Sequence, residues 1–215
     1  MEKKGQTGER NNAVKYLLIL DFEATCDVIN RPNPQEIIEF PTLLYNVENR
    51  VIEDSFHYYI KPNVHTKLSQ FCTRLTGITQ EQIDNDGIQL KDALQRHNMW
   101  LQEANLIPQH KKENCSRHDE IHSFVYLICG DWDLKTCLPS QLEHMNEKVP
   151  NHFMKWLNVK KEFAKLYNRK VGGMVDMLNE LELELEGRHH SGIDDCHNIA
   201  RICTKMLENG WFPKL

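Results

Sequence analysis

Two carboxylates, Asp21 and Glu23, stand at the end of the apolar run Tyr16-Leu17-Leu18-Ile19-Leu20. A short apolar run bounded by polar residues reads as a buried strand. Side chains on a strand alternate between faces, so Asp21 and Glu23 share a face, one pleat apart. Carboxylates held that close repel each other, and one would ordinarily keep its proton. A divalent cation removes the conflict. Hard cations such as Mg2+ take oxygen ligands and leave positions open for phosphate oxygens. Alone, an Asp-x-Glu pair fits equally well with two acidic residues where a strand enters a loop.

Other stretches decide between these. Gly130-Asp131-Trp132-Asp133-Leu134-Lys135 follows the apolar run Phe124-Val125-Tyr126-Leu127-Ile128-Cys129. His189-His190-Ser191-Gly192-Ile193-Asp194-Asp195-Cys196 precedes a helical pattern, and Gln35-Glu36-Ile37-Ile38-Glu39-Phe40-Pro41 is strand-like. With Asp21-Phe22-Glu23-Ala24-Thr25-Cys26 and the segment Cys72 to Ile78 (Cys-x-x-Leu-Thr-Gly-Ile), they closely resemble the ERI-type 3′–5′ exoribonucleases of the DEDDh exonuclease superfamily. The resemblance runs in chain order from about residue 14 to 210, and motifs in order are far more specific than any one of them.

The resemblance implies a ribonuclease H-like exonuclease fold with a five-stranded mixed sheet. It gathers Asp21, Glu23, Asp133 and Asp195 around two Mg2+ or Mn2+ ions. Asp21 would touch both, Glu23 and Asp195 would serve the ion that activates water, and Asp133 would help hold the other through direct or water contacts. His190, five residues before Asp195, would be the general base, since an imidazole accepts a proton near neutral pH. Its neighbouring carboxylates would raise its pKa and bound metal would oppose them. His189 has the wrong offset and reads as structural or close to substrate. The 3′-terminal nucleotide would lie against Phe22, Glu23 and Ala24, with Leu75, Thr76, Trp132 and His190 nearby. For Phe22, Leu75 and Trp132, core packing is as good a reading as base contact. Arg74, Lys135, Lys160, Lys161 and Arg188 are candidates for phosphate contact, with solvated surface the preferred reading.

The implied reaction is stepwise hydrolysis of single-stranded RNA from a free 3′ end to 5′-monophosphates. A 2′-hydroxyl distinguishes RNA from DNA at such a site. The alternatives are a DNA-preferring exonuclease of the same superfamily and a catalytically silent RNA-binding scaffold. All of the catalytic positions are present, which weighs against the scaffold. Small interfering RNA, ribosomal RNA ends and mRNA tails are all compatible with the chemistry.

Elements must bring these residues together. Strands are expected near Lys15 to Asp21, Glu36 to Val47, Val51 to Ile60 and Ser123 to Cys129, with a short edge strand at Trp156 to Val159. Glu48-Asn49-Arg50 is a hairpin turn. Helical spacing covers Leu68 to Leu75, and Thr79 with Gln82 forms a capping box. Leu90 to Leu106 is the clearest amphipathic helix, with Leu90, Ala93, Leu94, His97, Trp100, Leu101 and Ala104 on one face. Pro139 must kink or start a helix. A helix running to about Glu182 follows Gly172-Gly173, and the last helix spans Asp194 to Asn209, ended by Gly210. Strands first, then strands alternating with helices, indicates a mixed sheet covered by helices.

The 215 residues are enough for one domain at 14–215, after a polar leader at 1–13 that reads as disordered. The leader lacks the apolar core of a signal peptide, and no run of 18 apolar residues would span a membrane. A cytoplasmic or nuclear location is expected. Seven unpaired-looking cysteines suit reduced, mostly buried thiols. Gln109 to Glu120 is charged and aperiodic. With a single cysteine among His110, Cys115, His118 and His122, it reads as an exposed loop rather than a zinc site. A net charge of −5 argues against coating nucleic acid by bulk electrostatics, but not against a nuclease whose acids bind metal.

Overall fold

In the computed structural model, which describes residues 14–108 and 121–214, one mixed sheet carries the site. The leader and the 109–120 segment lie outside the described residues. The strands are β1 (Tyr16–Leu20), β2 (Glu23–Ala24), β3 (Ile37–Asn46), β4 (Val51–Tyr59), β5 (Phe124–Ile128) and β6 (Trp156–Asn158). Their order is β2-β3-β1-β5-β6, with β4 also on β3. β1 pairs antiparallel with β3 and parallel with β5, and β5 pairs parallel with β6. The described residues form six strands rather than the expected five, because a two-residue strand follows the first one after a short break. β1 ends at Leu20 opposite Thr42, and pairing resumes only at Glu23 opposite Glu39. Pro41, which has no N–H for a ladder, lies in β3 opposite that gap. Asp21 occupies the gap.

Alternation along β1 sorts the core. Tyr16, Leu18 and Leu20 pack toward α3 (Leu90–Glu103) and α4 (Leu138–His144). Leu17 and Ile19 pack toward α5 (Val159–Tyr167), α6 (Met174–Glu180) and α7 (Gly192–Glu208). The helices α1 (Gln70–Thr76) and α2 (Gln80–Asp86) close the end nearest β2 with Cys72, Ile78 and Ile83 against Ile38. Continuing the alternation, Asp21 falls on the side of α7, the helix that carries Asp195.

The expected elements form with small shifts at their ends. The Thr79–Gln82 capping box is made in both directions. The 90–106 helix stops at Glu103, with Leu90, Ala93, His97 and Leu101 buried. Around Pro139 the chain forms a π-helical turn, Asp133–Cys137, that runs into α4 with the proline in its first turn. Single π turns inside helices cluster at functional sites, and this one begins at Asp133. The sixth helix ends at Glu180 rather than 182, because Glu182 takes φ 56° and breaks the repeat. The last helix starts two residues early, at Gly192. No disulfide forms among the described cysteines, and Cys72, Cys137, Cys196 and Cys203 are buried. No helix among the described residues is long and apolar enough to cross a membrane.

Gly192 explains how close α7 comes to β1. A Cβ there would stand 2.5 Å from the Asp21 carbonyl oxygen and 3.0 Å from Pro41 Cγ. Backbone cannot swing aside as a side chain can. Gly192→Ala should therefore destabilise the fold by about 1–3 kcal/mol, as overpacking does. Thermal unfolding checks this, and a melting temperature equal to the parent's would show that the joint is loose.

Candidate active site

The sheet ends, the π turn and the start of α7 bring the predicted acids to one place. One carboxyl oxygen each from Asp21, Glu23 and Asp195 lie within 4.8 Å of one another. Asp133 stands beside them. Its Oδ1 accepts the Phe22 N–H at 2.9 Å, and its charge falls on Asp21 more strongly than any other. It lies outside the tight triplet, and its role in the fold is to tie the interrupted strand to the π turn.

Burial and crowding dominate the electrostatics. Burial pushes the Asp21 carboxyl well above the usual range, and Asp133, Glu23 and Asp195 add to it. Burial, then Glu39 and Asp195, lift Glu23 to about 9. Burial holds Asp133 at about 6 and also raises Asp195, against hydrogen bonds from His190 and His189. Such a set cannot all ionise without compensating positive charge. Several carboxylate oxygens around an open position are what a hard divalent cation requires, so the residues present fit such an ion.

The histidine pair differs from expectation. The ring next to Asp195 is that of His189, whose Nδ1 is 3.1 Å from Oδ2. His190 reaches Asp195 through its backbone N–H, at 2.9 Å, from a left-handed conformation with φ 66°. The two rings stack with centroids 4.0 Å apart. Ring nitrogens of both, with an Asp195 oxygen, lie within 4.8 Å of one another. Burial and then His189 push the His190 pKa below 6.5, outweighing Asp195. The upward push expected from a neighbouring carboxylate is present, from Asp195, but in the metal-free fold desolvation exceeds it.

The predicted nucleotide contacts divide. Phe22 is buried edge-to-face on Phe40, with centroids 4.9 Å apart, so its ring belongs to the core. The Ala24 carbonyl accepts the Cys72 thiol at 3.7 Å. Thr76 is buried and its hydroxyl is used twice, toward the Cys72 carbonyl and the Ile78 N–H. Leu75 is half-buried and Trp132 is exposed at 38%. Among the basic candidates, Lys160 donates to the Gly172 carbonyl and Lys161 pairs with Asp131. Arg188 donates to the carbonyls of Arg74 and Leu75, tying the His190 loop to the end of α1. Arg74 and Lys135 have exposed side chains.

Arg188, a candidate for phosphate contact in the sequence, is a tether here, and one participant had no assigned role in the sequence reading, Glu39. Glu39 is 1% exposed and accepts from the start of α7. The available signal was a charged residue inside the otherwise apolar run Ile37-Ile38-Glu39-Phe40.

The raised Asp133 value has a consequence for stability. In the fold the group keeps its proton up to about pH 6, against 3.8 for the exposed carboxyl. Above about pH 6 its ionised form therefore penalises the metal-free fold, and the penalty fades to nothing below 3.8. Asp133→Asn can still accept the Phe22 N–H. It should raise the melting temperature of metal-free protein at neutral pH, at about 1.4 kcal/mol for each tenfold of proton affinity relieved. The advantage should disappear by about pH 4. An advantage that grows on acidification would contradict this assignment.

A family model for exonucleases of the RNase T type matches residues 18–203. Over 202 residues the chain is 40% identical to ERI1 exoribonuclease 3 of Homo sapiens, covering 93% of this chain and 56% of that protein. It is 36% identical over 198 residues to 3′-5′ exoribonuclease 1 of Homo sapiens, covering 91% and 53%. The chain thus spans about half the length of these curated relatives, and 30% of ERI1 exoribonuclease 2 of Xenopus laevis. Among solved structures, it superposes on the nuclease domain of 3′hExo, a DEDDh family member bound to rAMP. The TM-score is 0.79 at 33% identity, covering 94% of this chain and 98% of that one. A 3′-exonuclease solved for its 3′-end specific recognition of a histone mRNA stem-loop gives a TM-score of 0.80 at 34% identity, covering 92% and 84%. With a family model over most of its length and relatives at 36–40% identity, the chain belongs to the RNase T exonuclease family, among its DEDDh members.

Proposed function

We propose that this chain is a 3′–5′ exoribonuclease that removes 5′-monophosphates one at a time from a free RNA 3′ end. The observation that carries the reading is the buried triplet Asp21, Glu23 and Asp195, with Asp133 beside it. The names of its relatives point the same way.

Asp21, Glu23, Asp133 and Asp195 would hold two Mg2+ or Mn2+ ions. Bound divalent cations supply a lowered pKa for the attacking water and offset charge developing on the phosphate and the leaving 3′ oxygen. Water oxygen bonds to phosphorus, the bond to the 3′ oxygen of the preceding nucleotide breaks, and that oxygen takes up a proton. His190 in its neutral form accepts the proton from the attacking water. Its lowered pKa favours this, because the neutral form persists to more acidic pH. His189 orients Asp195. The backbone from Phe22 to Ala24 borders the terminal sugar, where a 2′-hydroxyl can be read. Trp132 offers an exposed ring face for a base, and Arg74 and Lys135 are free to meet phosphates. The biological setting that fits is RNA processing or turnover at 3′ ends. DNA is the competing substrate.

Purified protein with end-labelled RNA and matched DNA oligonucleotides tests the reading. EDTA-sensitive release of nucleoside 5′-monophosphates from RNA, faster than from DNA and blocked by a 3′ phosphate, is expected. Cutting of circular RNA would show an endonuclease instead. Asp21→Ala and Asp195→Ala should abolish cleavage while the metal-free fold survives, since each relieves repulsion. Near-parent turnover in Asp21→Ala would sink the metal assignment.

The histidines are separated by single-turnover cleavage over a pH series. Activity should rise with pH along a limb below about 6.5, the ordinary imidazole value, because burial depresses His190. That limb belongs to the coupled site rather than to one group. His190→Ala should lose about 10²–10⁴-fold in rate, as expected for a positioned general base. His189→Ala should lose much less. The reverse order of damage would transfer the base role to His189.

A further inference from the structure

Glu39 lies in β3 directly across from Glu23, nearly without solvent, yet its carboxylate is fully occupied. Oε2 accepts the Gly192 N–H at 2.9 Å and Oε1 accepts the Ile193 N–H at 3.1 Å. These are the first two residues of α7, and they have no carbonyl partner within the helix. Ser191, the residue before them, makes no side-chain cap. The capping role that a serine commonly fills has passed to a carboxylate on a neighbouring strand, whose charge also suits the helix N-terminus. The third partner is His57 on β4, with Nε2 at 2.8 Å from Oε1. Asp195 and Asp133 also accept backbone amides, from His190 and Phe22, but Glu39 alone holds two amides of one helix start, and it raises the proton affinity of both Glu23 and Asp21. A buried acid that adds to the repulsion is retained at a cost, and the geometry shows what it does in return.

We propose that Glu39, steadied by His57, is a positioning residue for metal binding. It pins the start of α7 to the sheet so that Asp195, one turn along, meets Asp21 and Glu23. It is not itself a ligand, since both oxygens are committed to the helix amides and the imidazole. The joint is tight, because Gly192 Cα comes so near the Asp21 carbonyl and Glu39 that a Cβ would meet Oε2 at 3.2 Å. A small displacement of α7 would move Asp195 directly. The role rests on the exonuclease reading only in taking Asp195 as a metal ligand.

The test is Mn2+ affinity by calorimetry, without RNA, in the parent, Glu39→Gln, His57→Phe, Asp195→Asn and the two double variants with Asp195→Asn. Glutamine is close in shape but has one acceptor oxygen, so one α7 amide loses its partner. Glu39→Gln should weaken Mn2+ binding by about 10-fold or more, the usual effect of losing a group that orients a ligand. His57→Phe should weaken it less, in the same direction. In the Asp195→Asn background each should change affinity by less than about 2-fold, because their route to the metal is already gone. A general loss of stability would instead weaken binding equally in both backgrounds, and that result overturns the proposal. So does parent-like affinity in Glu39→Gln or, where that variant fails to fold, in the more exposed His57→Phe. If the parent binds no Mn2+, or Asp195→Asn binds it as the parent does, the metal reading itself falls and takes this role with it.

Discussion

Carboxylates crowded out of water repel each other, and most of this site's architecture serves to hold them together anyway. Asp21 lies in a two-residue break in a core strand and Glu23 where pairing resumes, Asp195 stands one turn into α7, and Asp133 at the head of a π turn. Removed from solvent, each is pushed toward its neutral form, and for Asp21 and Glu23 the neighbouring carboxylates add to that push. The metal-free fold therefore carries strain of an electrostatic kind at the place where a divalent cation and a phosphate would meet. Preorganised charge of this sort does not need to rearrange during the reaction.

The strain is tolerable because the surroundings are rigid and apolar. Leu17 to Leu20 are wholly buried between two helical layers, which fixes the strand that ends in Asp21. The Phe22 N–H fastens Asp133, Glu39 fastens α7, and Arg188 fastens the His190 loop to α1. Each tether joins segments far apart in sequence. A site assembled from four such segments can shift by one tether without unfolding, so binding and stability need not change together.

Strand alternation placed Asp21 and Glu23 on one face, but the metal reading, and with it Asp133 and Asp195, came from the resemblance carried by several motifs in order. The helices at 90–103 and 192–208 were legible from their apolar spacing, and the Thr79–Gln82 box from its end signals. What stayed hidden depended on tertiary geometry. The break after Leu20 cannot be read locally, since nothing in Asp21-Phe22 resembles a turn signal. The π turn at Asp133, whose Leu134 and Cys137 are buried in the core just ahead of Pro139, has no signal in local propensity. Spacing selects His190, whereas the ring within hydrogen-bond distance of Asp195 belongs to His189; His190, in a left-handed conformation, meets that carboxylate with its backbone N–H while its ring stays within the same cluster. Glu36 and Glu39 look alike in the motif. One holds the amides of Asn63, Val64 and His65, and the other the start of α7.

The account's central claim is that Glu23 and Asp21 keep protons in the metal-free fold until a metal replaces them. Calorimetric titration of metal-free protein with Mn2+ near pH 7, repeated in buffers of different ionisation enthalpy, measures the protons released per metal bound. With Glu23 held at about 9 and Asp21 raised well above its ordinary value, the account predicts release of about one proton or more, and loss of that release in Asp21→Ala. Mn2+ binding with no proton release, or release unchanged in Asp21→Ala, would contradict it.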